Sequence, residues 1–132
     1  MIILGIDYGR KKIGIAYGDT ETGLVEPIEI VASRQPSVIS YLQRIIKEKE
    51  AGLIVIGITG GKIDKEINYF GKKIGKETGL PVDFYDETLT TQDAAKILGQ
   101  IGRTKNYRKS MEDAIAAAVM LQSYLEKEEK NV

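Results

Sequence analysis

The sequence predicts an α/β fold, a five-stranded mixed sheet with helices on both faces, and three observations carry that expectation. The chain opens with two alternating apolar runs joined by a short glycine-containing turn, which is the pattern of a hairpin. Leu53 to Ile58 (LIVIGI) is a continuous apolar run, as expected of a strand covered on both faces. On either side of that run the apolar residues recur at helical spacing.

The first strand carries Ile2, Leu4 and Ile6 and ends at Asp7. Gly9-Arg10-Lys11-Lys12 makes a turn, and Ile13 to Tyr17 alternates Ile13, Ile15 and Tyr17 with Gly14, Ala16 and Gly18. Val25 to Val31 is the third strand, and Pro27 within it favours a sheet edge. From Pro36 the period changes: Val38, Tyr41, Leu42 and Ile45 share a helical face, with Ile39 and Ile46 widening it and Gly52 suiting its end. Beyond the fourth strand, Gly60-Gly61 opens a loop. Ile63, Ile67, Phe70 and Ile74 then mark a second helix, closed by Gly79 and Pro81. Val82 to Tyr85 is the fifth strand and runs into Asp86-Glu87. Thr90 to Asp93 resembles a capping box for a third helix over about 92–101. The basic loop GRTKNYRKS leads to a last helix from Met111 to Glu126, and 127–132 reads as a frayed, charged tail.

The order β-β-β-α-β-α-β-α-α is that of the ribonuclease H-like fold. A Rossmann fold opens β-α-β and is excluded. Strands one, four and five are expected to run parallel at the sheet centre, within a single domain over 1–132.

Composition narrows the chemistry. Lys plus Arg and Asp plus Glu each total 19 in 132 residues, so a polyanion site must come from local clustering and not from net charge. There is no cysteine, which excludes disulfides, thiolate nucleophiles and cysteine-held metals. There is no histidine, which removes the usual general base and the usual nitrogen ligand. Catalysis must therefore run on carboxylates, hydroxyls, Lys, Arg, Tyr and bound ions. No signal peptide is visible, and the longest apolar run, Ala114 to Leu121, is too short to cross a bilayer. A cytoplasmic protein with no membrane partner is expected, with monomer and homodimer both open.

Asp7 is the residue that such a strand end does not explain, because an unpaired charge there costs several kcal/mol. Glu87 follows the fifth strand and Asp113 lies in the first turn of the last helix, so the fold can bring all three together. Two bare carboxylates about 4 Å apart repel by roughly 4 kcal/mol at an effective dielectric near 20. Such a cluster is stable when protonated or when it holds a cation, and oxygen ligands suit Mg²⁺ or Mn²⁺. Metal ions held by carboxylates serve phosphodiester hydrolysis without histidine or cysteine. Simpler roles compete. Asp113 suits the third position of a capping box started by Ser110, Glu112 vies with it, and Asp86 and Glu87 suit a surface turn. The basic residues Arg10, Lys11 and Lys12, and later Arg103, Lys105, Arg108 and Lys109, would grip phosphates if they flank the acids. Otherwise they are solvated loop charges.

Gly5-Ile6-Asp7-Tyr8-Gly9, Gly14-Ile15-Ala16, Asp86-Glu87-Thr88-Leu89-Thr90-Thr91 and Asp113-Ala114-Ile115-Ala116-Ala117 together resemble the YqgF/RuvX family. The resemblance covers nearly the whole chain in order and length. It implies a ribonuclease H-like nuclease with a divalent metal held by Asp7, Glu87 and Asp113. The implied substrate is the 5′ end of precursor 16S ribosomal RNA, with branched DNA of the Holliday-junction kind as the alternative. The chain departs from the family at Gly57-Ile58-Thr59, where Gly-Leu-Pro is usual, and at Thr88, where an Arg usually follows the acidic pair. The missing Arg removes a planar phosphate fork.

Two other readings compete. An ATPase of the actin and sugar-kinase type shares the strand–Asp–x–Gly–turn–strand opening, but closes two such domains around its nucleotide. A non-catalytic RNA-binding module for ribosome assembly would keep the fold without metal-dependent cleavage.

Overall fold

Alternation along the first two strands gives each a distinct apolar set on each face, and the two faces build two separate cores. The computed structural model describes residues 1–34, 36–90, 92 and 104–130. Its strands are β1 (Ile2–Asp7), β2 (Lys12–Asp19), β3 (Val25–Ala32), β4 (Ala51–Ile58) and β5 (Val82–Asp86). The helices are α1 (Ser37–Lys49), α2 (Asp64–Thr78), α3 (Lys105–Ser110) and α4 (Glu112–Lys130), with a 3-10 turn at Glu87–Leu89. Of the expected third helix only Gln92 belongs to the described residues; the rest of it, and Arg103, lie outside them.

The sheet order is β3-β2-β1-β4-β5. β1 pairs antiparallel with β2, placing Asp7 opposite Gly14, and parallel with β4. β4 pairs parallel with β5. The hairpin opening and the parallel set β1, β4 and β5 are as predicted, but β5 lies at the sheet edge and not at its centre. β3 takes the opposite edge, with a register shift beside Pro27, where the missing N–H costs no ladder bond.

One face of the sheet presents Leu4, Ile6, Ile13, Ile15, Ile54 and Ile56, all fully buried beneath α1 and α2. Val38, Leu42 and Ile45 of α1 and Ile67, Phe70 and Ile74 of α2 complete that core. The other face presents Ile3, Ala16, Val55 and Tyr85 and is covered by Ala117, Ala118, Met120, Leu121, Tyr124 and Leu125 of α4. Each large aliphatic buried this way contributes about 1.5–3 kcal/mol. Period two places Asp7 on the α4 face with Ile3 and Gly5, which is why it enters the second core's edge and not the first.

Four local expectations are corrected. α1 ends before Gly52: Glu50 takes the left-handed position (φ 54°) and donates its N–H to the Ile46 carbonyl, so Gly52 already belongs to β4. The basic loop is partly helical, because Thr104 accepts the Tyr107 N–H (3.2 Å) and starts α3. Ser110 donates to the Tyr107 carbonyl (2.9 Å), so it is the end of α3 and not the cap that would explain Asp113. α4 continues through Lys130, so 127–130 is helix and not a frayed tail.

Polar contacts, one of them buried, tie β5 and the turn after it to α4. The Tyr85 hydroxyl and Ser123 Oγ lie 2.8 Å apart, and Ser123 Oγ also donates to the Leu89 carbonyl at 3.3 Å. Tyr124 donates to Asp83 at 2.9 Å. These bonds seat the turn that follows β5. Glu50 is the one non-glycine with positive φ among the described residues, a conformation that costs an L-residue about 1–2 kcal/mol. Glu50→Gly should therefore raise thermal stability by a few degrees, about 1 kcal/mol, in a melting experiment. An unchanged or lower melting temperature would show that the left-handed turn is not strained.

Candidate active site

Asp7 sits at the last position of β1, on a strand paired on both sides, so its backbone is held firmly. Glu87 opens the 3-10 turn directly after β5. Its side chain folds back over β4 at Gly57, where an added Cβ would run into Glu87 Oε1 and lie 2.7 Å from its Cγ. Only a residue without a side chain leaves that path open. Asp113 arrives from the far side of β1. There Gly14, the register partner of Asp7, lets the first turn of α4 press against β2; a Cβ at Gly14 would overlap the Asp113 carbonyl and lie 2.6 Å from the Ala114 nitrogen. Two strand glycines thus admit two carboxylates to the end of β1.

Asp7 and Glu87 line one cleft of about 290 Å³, whose described lining also includes Thr90, Ala116, Val119 and Met120. The Asp7 carboxyl is pushed up to about 7. Burial is the largest cause, followed by the charge of Glu87, a hydrogen bond with Glu87, and the charge of Asp113. Asp113 Oδ2 lies 3.3 Å from Lys12 Nζ, yet it is sealed from solvent and accepts no hydrogen bond. The distance permits an ion pair while the alignment is poor. The structure therefore brings Asp7 and Glu87 together and holds Asp113 within electrostatic reach of Asp7. Among the described residues, no three acidic side chains are gathered into a ready metal cage.

The remaining candidates separate clearly. Asp86 caps the 3-10 turn, accepting from the Thr88 N–H (2.9 Å) and hydroxyl (2.7 Å), which hold its carboxyl below the usual range. Thr88, standing where the family usually has Arg, is thereby committed to Asp86. Thr59 is likewise committed to its own loop, since its N–H and hydroxyl donate to Asp64 Oδ1 at 3.0 and 3.3 Å. Glu112 is exposed at the start of α4. Arg10 is bound to Glu66 of α2, its Nη2 3.0 Å from Oε1. Lys11, Lys105, Arg108 and Lys109 are exposed, the last three on α3 directly ahead of Asp113. Sequence reasoning missed the Lys12–Asp113 pair and the part played by Gly57. A glycine inside a buried strand was the available signal, since it commonly marks a close approach.

A small, hard divalent cation suits this donor set. All the donors are oxygen, Asp7 is unfavourably charged beside Glu87, and Asp113 Oδ2 is buried without a donor. The sheet order and helices are those of the ribonuclease H-like class, and matches to known proteins place the chain among nucleases, hydrolases acting on nucleic acid. Residues 1–127 match the family model described as RuvX, Holliday junction resolvase, and the chain belongs to that family. A protein of Agathobacter rectalis named "Putative pre-16S rRNA nuclease" is 34% identical, covering 96% of this chain and 95% of its own. A Thermosynechococcus vestitus protein of the same name is also 34% identical, over 94% of this chain and 87% of its own. Among solved structures, T. thermophilus RuvC in complex with a Holliday junction substrate superposes with a TM-score of 0.65 at 20% identity, covering 96% of both chains. Among the described residues no helix is long and apolar enough to cross a membrane.

The raised Asp7 carboxyl has a definite sign in stability. Between about pH 4 and pH 7 the folded metal-free protein keeps a proton on Asp7 that the unfolded chain has lost. The folded state binds more protons there, so this contribution falls as pH rises through the window. Asp7→Asn cannot ionise. Its melting temperature, measured in chelator, should therefore gain on that of the parent as pH rises from about 4.5 to 7.5. Parallel curves for the two proteins would mean that Asp7 titrates normally.

Proposed function

We propose that the chain is a divalent-metal-dependent endonuclease that hydrolyses phosphodiester bonds of structured nucleic acid. Its proposed task is 5′-end processing of precursor 16S ribosomal RNA in the cytoplasm. The observation that carries the metal assignment is the half-buried Asp7 carboxyl set against Glu87, an arrangement that a cation relieves. Asp7, Glu87 and Asp113 would hold Mg²⁺ or Mn²⁺. Bound there, the ion supplies positive charge to the reacting phosphate and makes the attacking water more acidic. The chain's own contribution is placement. Asp7 is fixed by its pairing with Gly14 of β2 at the end of a strand that β4 also flanks as far as Ile6, Glu87 by the turn that Asp86 and Ser123 hold, and Asp113 by its seat against Gly14. Lys11, Lys12, Lys105, Arg108 and Lys109 approach the backbone phosphates, while Arg10 braces α2 through Glu66.

The RNA substrate is supported by the names of the relatives that match over nearly full length. A second reading, cleavage of branched DNA, is supported by the description of the matching family model. The two are separated by assaying a precursor 16S rRNA fragment beside a four-way DNA junction, with Mg²⁺ and Mn²⁺. Asp7→Asn should slow metal-dependent cleavage of the true substrate by at least ~10²-fold, a loss of several kcal/mol of transition-state stabilisation. Equal cleavage by both proteins would place the activity elsewhere. Binding without cleavage by either would favour a non-catalytic assembly module. Lys105→Ala should weaken nucleic-acid binding and flatten its salt dependence by about one ion while leaving metal binding unchanged, as read from affinities over a salt series. An unchanged salt slope would remove Lys105 from the interface.

A further inference from the structure

Lys12 belongs to the predicted phosphate-binding set, yet the structure draws it to an acid of the site. It opens β2 just after the hairpin turn, and its side chain is 62% exposed against 30% for Asp113. Neighbouring Arg10 is engaged outward by Glu66 on α2. The Asp113 oxygen that faces Lys12 is closed to solvent and accepts no hydrogen bond, so the ammonium supplies its nearby compensating charge. The two partners differ in freedom. The backbone of Asp113 is pinned against Gly14, whereas Lys12 carries its charge on a long, exposed, flexible stem. If the pair separates, Lys12 is the partner that moves.

We propose that Lys12 is an electrostatic latch: in the free protein its ammonium holds Asp113, and on nucleic-acid binding it passes to a backbone phosphate, freeing Asp113 for a divalent cation. This inference rests on the cation-holding role given to Asp113 above. An ammonium and a divalent cation compete for the same carboxylate, so the resting protein binds the ion weakly. A phosphate takes the ammonium away, and the ion then binds more tightly. Linkage makes the effect mutual: the ion must also tighten nucleic-acid binding by the same factor. The latch would delay assembly of the metal site until a phosphate backbone is present. Lys12 is therefore a positioning residue, acting on the reaction through Asp113.

Mn²⁺ binding to the free protein, measured by calorimetry, tests the first half. Lys12→Met should bind Mn²⁺ roughly tenfold more tightly than the parent, while Lys12→Arg, which keeps the charge, should stay near the parent. The gain should vanish when Lys12→Met is combined with Asp113→Asn, and thermal melts establish that each variant is folded. Fluorescence anisotropy tests the second half, using a four-way DNA junction and a precursor 16S rRNA fragment whose integrity is checked after each titration. Mn²⁺ should tighten binding of the preferred nucleic acid by roughly tenfold in the parent and much less in Lys12→Met. Equal or weaker Mn²⁺ binding by Lys12→Met would overturn the latch, as would the same Mn²⁺ effect on nucleic-acid binding in both proteins. A parent whose Mn²⁺ binding is absent, or is untouched by Asp7→Asn, would overturn the metal assignment itself and the latch with it. Nucleic-acid binding absent for both probes would overturn the substrate assignment and the latch likewise.

Discussion

A carboxylate held at the half-buried end of a central strand is the constraint around which the acidic site is arranged. Asp7 ends β1, which is paired on one side with β2 and on the other with β4. Its charge is opposed by burial and by Glu87. Holding such a group demands compensation from a marginally stable fold, since a few kcal/mol is a large share of a domain's stability. The surrounding structure is consistent with that demand. Gly57 and Gly14 lack side chains in well-packed strands, where glycine weakens the sheet, and that lack lets Glu87 and the first turn of α4 come close.

The two faces of the sheet divide the labour. The face under α1 and α2 is packed with large aliphatic side chains and carries much of the hydrophobic stabilisation. The α4 face uses smaller residues, Ala16, Ala117 and Ala118 among them, so that the helix can sit close enough to bring Asp113 to the strand ends. Its polar ties, Tyr85 with Ser123 and Tyr124 with Asp83, are directed at β5, the edge strand whose continuation bears Glu87. An edge strand has a sheet neighbour on one side only, and these bonds add a second anchor. The site is thus built on elements fixed by different means: a central strand, an edge strand braced by a helix, and a helix start fixed by a glycine gap.

Charge is distributed unevenly. The molecule has no net charge, yet cations gather in the β1–β2 turn, which follows Asp7, and on α3, which precedes Asp113. They are not equivalent. Arg10 commits its planar fork to Glu66, and Thr88 leaves unfilled the place where the family usually has a second fork. The lysines of these elements carry mobile point charges, and one of them, Lys12, is already engaged by Asp113.

Element type and order were legible in the sequence because period two, period 3.6 and the glycine and proline punctuation are local properties of the chain. Asp7 was legible for the same reason, as a charge breaking an apolar strand. Composition alone, with neither histidine nor cysteine, confines the chemistry to oxygen ligands. Local patterns failed where a tertiary contact outweighed them. Gly52 looked like a helix stop, yet the chain turned at Glu50 so that β4 could begin at Ala51. Ser110 looked like the cap of Asp113, yet it closes α3. β5 carried the pattern of a strand, but its place at the edge depends on which strand pairs with which, and that is not written in its own residues. The meetings across long sequence separations came from tertiary packing: Glu87 over Gly57, Asp113 against Gly14, and Lys12 beside Asp113. These follow from the register of β1 with its neighbours and from the seat of α4. Register is set by the whole core at once, because a slip of one residue would turn every buried side chain of a strand to the opposite face.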